Sequence, residues 1–186
     1  MDDLRGGHDA EGRPGGRGPT WLGRLSSAIS NLFAERGIYL GRRSTKVHVA
    51  LYRASRGRLG RWVPGWPGTE IALVDHVGAR SGRRRTSPPM ICRDGEAIAV
   101  VASKAGQPSN PAWYHNLLAH PDTEVQLGAE RRPVRARIAE GDEYERLWAR
   151  FVASFPEYER YRVRAAPRRM PVVVFEPRSA TGGGGV

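Results

Sequence analysis

The segment Gly78-Ala79-Arg80-Ser81-Gly82-Arg83-Arg84-Arg85 carries four guanidinium groups and no acid. Gly78 and Gly82 let backbone amides approach a ligand closely. Arginine adds charge-assisted, bidentate hydrogen bonds, so such a loop suits a phosphate. Its spacing is G-x-x-S-G rather than G-x-S-x-G, which excludes a nucleophile elbow. Ser103-Lys104 ends an apolar run and sets a point charge at a strand terminus. The serine is adjacent to the lysine rather than in an S-x-x-K spacing, so no serine acyl-enzyme chemistry is expected. Asn110-Pro111-Ala112-Trp113-Tyr114-His115-Asn116 opens a helix. The free N–H groups and partial positive charge of a helix start favour an anion. Each motif alone has a plainer reading: a solvated basic turn, a surface lysine, and a packing role for Trp113. Together they point to an anionic, phosphate-bearing ligand.

Other chemistries find little support. His48, His76, His115 and His120 show no metal-ligand spacing, and H-x-x-x-H and C-x-x-C are absent, so no metal site is expected. The single cysteine, Cys92, excludes an internal disulfide and sits in a strand-like run, where a small core residue is the first reading. No Walker A motif occurs, and no G-x-G-x-x-G lies between a strand and a helix. No run of about 18 apolar residues suggests a membrane span. The N-terminus lacks the apolar stretch of a signal peptide. A cytoplasmic protein is expected.

The elements that must position these motifs follow from periodicity. Thr20 can cap a helix whose Trp21, Leu22, Leu25, Ala28, Ile29, Leu32 and Phe33 share one face, with Gly37 as its stop. Residues 44–55 suit a second helix with Val47, Leu51 and Ala54 aligned. From Ile71 the pattern becomes short strands: 71–77, 86–93, 96–103, 124–127, 134–139 and 170–175. Asp94-Gly95 is a hairpin signal between the second and third. Asn110 is the expected N-cap and Pro111 the first residue of a helix that stops before Pro121. Residues 142–155 suit a helix with Leu147, Trp148, Phe151 and Val152 inward. About six strands joined mostly by hairpins predict a largely antiparallel barrel or curled sheet with helices outside.

The chain of 186 residues fits one main domain. Four parts are expected: a disordered tail over 1–19, a basic helical segment over 20–69, a cofactor-binding domain over 70–177, and a Gly-rich tail over 178–186. The net charge is +11, and of 30 basic residues only Lys46 and Lys104 are lysine. Residues 20–69 hold nine basic side chains against one acid, Glu35.

In their order, with strand-like runs between them, the three motifs resemble the deazaflavin-dependent nitroreductase family, whose members use coenzyme F420. The resemblance covers roughly residues 70–177. It implies a split β-barrel of the flavin-binding type, mainly β, with N-terminal and outer helices. By resemblance, Ala79, Arg80, Ser81, Arg85 and Lys104 bind the coenzyme's phosphate and acidic tail. Thr86, Ser87, Pro88, Pro89 and Met90 line its ring, with Val101, Ala102 and Ser103 from the next strand. Ala112, Trp113, Tyr114, His115 and Asn116 complete the site. Phe155, Tyr158 and Tyr161 border the substrate pocket. The sequence departs from the family at Val74-Asp75-His76-Val77, where a Thr-rich strand is common, at Met90, and at Phe155, which cannot donate a proton.

The expected function is hydride transfer from reduced coenzyme F420 to a quinone, an enone or a nitroaromatic. Tyr158 or Tyr161 is the expected proton donor, with Ser103 orienting near the ring. The alternative is a non-catalytic deazaflavin or flavin carrier, with flavin mononucleotide as second cofactor candidate. A nucleic-acid binder is disfavoured, because no such motif appears and the charge lies in helices. The basic N-terminal helix suits either docking on the barrel or an anionic membrane surface at the inner face of the cell membrane. No feature indicates an oligomeric state.

Overall fold

The computed structural model describes residues 42–63 and 68–178. The expected helix over 21–33 and both polar tails, save Arg178, lie outside the described residues. The chain begins with α1 (Arg42–Ala54), followed by β1 (Glu70–Ile71), β2 (Leu73–Val77), β3 (Arg84–Ser87), β4 (Met90–Asp94) and β5 (Ala97–Val101). Then come a 3₁₀ turn (Lys104–Gly106), α2 (Ala112–Ala119), β6 (Asp122–Leu127) and β7 (Glu130–Ile138). The helices α3 (Gly141–Ser154) and α4 (Glu157–Ala165) precede the closing strand β8 (Val172–Pro177).

The strand order is β1-β4-β5-β8-β7-β6-β2-β3, and every ladder is antiparallel. Only Ala72 separates β1 from β2, so one stretch of chain serves both ends of that order. The Ala72 N–H donates to the Pro89 carbonyl at 3.1 Å, across the break. The expected strand over 86–93 is divided the same way. Pro88 and Pro89 offer no N–H to a ladder, so β3 ends at Ser87 and β4 starts at Met90. Six expected strands are thus eight, and the two breaks let the sheet curl closed as a split barrel.

Period-two alternation divides the core. Ile98 and Val100 of β5, Val173 and Phe175 of β8, and Val134 and Ala136 of β7 share one cluster with Ala72, Val74, Ile91 and Val125. This cluster fills the barrel, and Leu117 of α2 closes it. The alternate positions Ala99, Val101, Val172 and Val174 face outward onto α3 and α4. On α3, Tyr144, Leu147, Trp148 and Phe151 are buried at helical spacing, and Asp142 and Glu143 complement the dipole of its first turn. Local pattern did not suggest α4. It is short and polar, and only Tyr158, Tyr161 and Ala165 turn inward.

The face of α1 differs from expectation. Val47 and Leu51 are exposed, and Tyr52 is fully buried in their stead. The Tyr52 hydroxyl donates to the Ile71 carbonyl at 3.0 Å and accepts from Gly128 N–H at 2.9 Å. A polar handle on a large ring fixes the helix to the barrel where an aliphatic stripe would have had no partner for these backbone groups. Behind it, Gly57 packs so tightly that an added Cβ would lie 2.3 Å from Gly128 Cα.

Candidate cofactor site

The cationic segment is the hairpin loop between β2 and β3, whose register closes at Val77 and Arg84. Gly78 N–H donates to Arg83 O at 2.9 Å, and Gly82 N–H donates to Gly78 O at 2.8 Å. Gly82 has φ +62°. The side chains of Arg80, Arg83, Arg84 and Arg85 are exposed. Among the described residues none of the four forms an ion pair. The arginines of the sheet and outer helices differ. Arg131 pairs with Asp75, Arg135 with Asp122, Arg137 with Glu143 and Glu176, and Arg146 and Arg150 with Asp94. Many carboxylates are engaged there, and among the described residues the loop keeps an uncompensated positive field.

A buried polar chain holds this loop. Asn116 on α2 is 7% exposed, and His76 on β2 is 5% exposed. Asn116 Oδ1 accepts from Ala79 N–H at 2.9 Å, and Asn116 Nδ2 lies 2.9 Å from His76 Nδ1. His76 Nε2 lies 3.0 Å from Ser87 Oγ. An amide Nδ2 only donates, so Nδ1 is the acceptor and Nε2 carries the hydrogen. Burial, with the Arg85 charge, lowers the His76 pKa to about 4, so the ring is neutral. His76 was not among the expected site residues. Its signal in the sequence is a polar residue two positions after Val74, on the inward side of a strand.

The second motif forms a strained turn. Lys104, Ala105 and Gly106 have φ of 47°, 51° and 74°. The first two lack glycine's freedom, so surrounding bonds must hold them. Arg168 supplies most of these bonds, donating to the carbonyls of Ala102, Ser103 and Gln107 and to Asn110 Oδ1. Arg164 donates to Ala105 O at 3.1 Å. Gly106 abuts α4, where an added Cβ would lie 2.7 Å from Tyr161 O. Lys104 Nζ donates to Ser109 Oγ at 2.7 Å. The Ser103 hydroxyl has no hydrogen bond among the described residues. With its side chain taken by Arg168, Asn110 does not cap α2; Pro111 is the N-cap residue and no side chain bonds the first turn.

The motifs therefore meet at α2. The β2–β3 loop joins it through Ala79 and Asn116, and the Lys104 turn joins it through Ser109 and Asn110. Of the other expected site residues, Thr86 Oγ1 donates to Asp75 Oδ1 at 2.5 Å and accepts from Arg53 at 3.0 Å. Trp113 and Tyr114 pack on the barrel core, while Ala112 and His115 are exposed. Val101 and Met90 face the α3–α4 layer, and Ala102 is buried with its N–H on Pro171 O at 2.8 Å. Tyr158 is buried among Trp148, Phe151, Phe155 and Tyr161, with ring centroids 5.5–6.1 Å away. Burial raises the Tyr161 hydroxyl pKa, as it raises that of the Cys92 thiol. Among the described residues, no group of three His, Cys, Asp or Glu side chains is placed to hold a metal.

The neutral state of His76 has a pH consequence. The unfolded ring titrates near 6.5 and the folded one near 4, so between these values the unfolded chain binds the extra proton. Stability is complete above about pH 6.5 and declines as pH falls towards 4. Urea unfolding at a series of pH values measures this slope. His76→Asn should flatten it between pH 6.5 and 4.5, relative to the unsubstituted protein.

The chain matches the family model described as F420H(2)-dependent quinone reductase over residues 44–177. An F420H(2)-dependent quinone reductase of Mycobacterium tuberculosis is 37% identical over 143 residues, which is 75% of this chain and 94% of that relative. A solved F420-H2 dependent reductase is 38% identical with a TM-score of 0.53, covering 57% of this chain and 93% of that one. A second solved structure, described as a domain-swapped dimer, is 32% identical with a TM-score of 0.57, covering 72% and 96%. The family match over most of the chain and the identity across nearly the whole length of the mycobacterial relative lead to one conclusion: this chain belongs to the F420H(2)-dependent quinone reductase family.

Proposed function

We propose that this protein transfers a hydride from reduced coenzyme F420 to a quinone, with enones and nitroaromatics as chemically related acceptors. The observation that carries this reading is the uncompensated cationic rim. Arg80, Arg83, Arg84 and Arg85 have no carboxylate partners among the described residues, and the loop that bears them is bonded to α2. Such a rim fits an acidic, phosphate-bearing cofactor. Arg80, Arg85 and Lys104 hold its anionic portion, with Ala79, Ser81 and the first turn of α2 supplying polar contacts.

Coenzyme F420, when bound, supplies the hydride. The protein's part is to orient the acceptor, exclude water and deliver a proton. Thr86, Ser87, Pro88, Pro89, Met90 and Ser103 would hold the ring, and the buried Val101 and Ala102 would back them. The Ser103 hydroxyl, without a hydrogen bond among the described residues, is suited to orient a ring oxygen. Tyr161 or Tyr158 delivers the proton. Tyr161 is favoured because its backbone abuts the Lys104 turn, and burial keeps its hydroxyl protonated across the physiological range.

The acceptor reading bears on location. No described helix is long and apolar enough to cross a membrane. Yet Val47 (59%), Leu51 (51%), Leu59 (58%) and Trp62 (55%) are exposed on α1 and the segment after it. Lys46, Arg56 and Arg58 lie among them, without ion pairs among the described residues. Apolar side chains ringed by unpaired cations suit the headgroup region of an anionic bilayer, where lipid-soluble quinones reside.

Three measurements test these statements. Arg80→Ala and Lys104→Ala should each weaken binding of oxidised coenzyme F420 by about 1.5–3 kcal/mol, the range for a charged hydrogen bond. Unchanged affinity in the double variant would place the anion site elsewhere. Tyr161→Phe should keep coenzyme affinity and lower turnover by about 10²–10⁴-fold. Equal turnover in the Phe variants of both tyrosines would make water the proton source. In vesicle co-sedimentation, binding should appear with anionic lipid, fall with salt and weaken in Leu51→Glu. Protein that ignores anionic vesicles at low salt would remove the membrane reading.

A further inference from the structure

We propose that His76 is a positioning residue that locks the Asn116 side-chain amide and thereby fixes the backbone of the cofactor loop at Ala79. This rests on the cofactor reading above.

The argument begins with the amide. A side-chain amide fits its pocket about equally well in two orientations, and only its partners choose between them. Asn116 is almost fully buried between one donor, Ala79 N–H, and one acceptor, His76 Nδ1. In the observed orientation both contacts are complementary. In the flipped one, Oδ1 would face the Nδ1 lone pair and Nδ2–H would face Ala79 N–H, which leaves two buried clashes. Loss of a partner in such a site carries the full desolvation cost of the stranded group. His76 thus determines that the amide oxygen, rather than its nitrogen, faces the loop.

The lock also needs His76 in one tautomer, and Ser87 provides for it. Its Oγ lies 3.0 Å from Nε2 and accepts the ring hydrogen, leaving Nδ1 bare. Ser87 is on β3 and Ala79 is on the loop before it, so a single chain of bonds ties the loop to the strand through α2. The charged neighbours of the ring are Arg85, its register partner on β3, and Asp75 on the opposite side of β2. Asp75 is itself neutralised by Arg53 and Arg131. Burial and Arg85 both disfavour the imidazolium, which would present a hydrogen at Nδ1 and force the flip.

Two variants separate the ring's roles. The amide of His76→Asn falls near Nδ1 and can accept from Asn116. The amide of His76→Gln falls near Nε2; it keeps the Ser87 contact and loses the Asn116 acceptor. The readouts are hydrogen exchange of the Ala79 amide and binding of oxidised coenzyme F420. In unsubstituted protein, the Ala79 amide should exchange more slowly than that of its neighbour Arg80. His76→Asn should keep that protection and bind within about threefold of the parent. His76→Gln should lose it and bind about tenfold more weakly, the loss of one hydrogen bond. A role in stability alone would weaken both variants alike. Equal affinity in the two variants, or an unprotected Ala79 amide in the parent, overturns the proposal. Parent protein that fails to bind the coenzyme counts against the cofactor reading, and the Ala79 exchange pattern across the two variants then decides this one.

Discussion

Residues 70–77 hydrogen-bond to both ends of the sheet order, β1 to β4 and β2 to β6 and β3. This double pairing is the constraint on which the remaining architecture rests. It closes the sheet, so the inward residues of every strand meet in one cluster. It sets the β2–β3 loop at the rim, next to the mouth that α2 covers. It also requires two breaks, at Ala72 and at Pro88-Pro89, because a regular strand cannot turn from one edge to the other without interrupting its ladder.

Charge distribution acts within that frame. The chain has 30 basic and 19 acidic residues. Among the described residues, many acids on the barrel and outer helices hold an arginine, and several hold two. Asp94 holds Arg146 and Arg150, Glu70 holds Arg61 and Arg93, and Asp75 holds Arg53 and Arg131. These pairs neutralise the scaffold at modest energetic gain. Among the described residues, cations without an ion pair include those of the β2–β3 loop and Lys46, Arg56 and Arg58 on α1 and the segment after it. The first group lies at the proposed cofactor site, and the second borders an exposed apolar patch.

Loop positioning relies on polar side chains that carry no reaction. Arg168 holds the carbonyls around the Lys104 turn, and His76 with Asn116 holds Ala79. Both devices act on backbone rather than on the cationic side chains. Among the described residues the loop arginines form no ion pair, while the turn and loop backbone beneath the cations is held by hydrogen bonds. A strained turn such as 104–106 persists because donors from α4 and the segment after it saturate its carbonyls.

Much of this was legible in local sequence. The alternation of Val134, Ala136 and Ile138 with Arg135 and Arg137 named the two faces of β7, and Asp94-Gly95 marked the β4–β5 hairpin. The 3.6-residue spacing of Leu147, Trp148 and Phe151 named α3. The loop motif, Ser103-Lys104 and the start of α2 were visible as types and spacings, because the residues of each motif are contiguous in the chain. The packing face of α1 was not visible, since the aliphatic stripe Val47 and Leu51 outweighs Tyr52 in any count of apolar residues. Only the fold reveals that Tyr52 meets the backbone of Ile71 and Gly128. Nor could spacing find Arg168, more than 50 residues from the carbonyls it holds, or the bond between Asn116 and His76, 40 residues apart. Periodicity reports which face a residue takes relative to its neighbours in the chain. Which distant polar groups then face each other is decided when the barrel closes, because closure alone removes the water that would otherwise satisfy them.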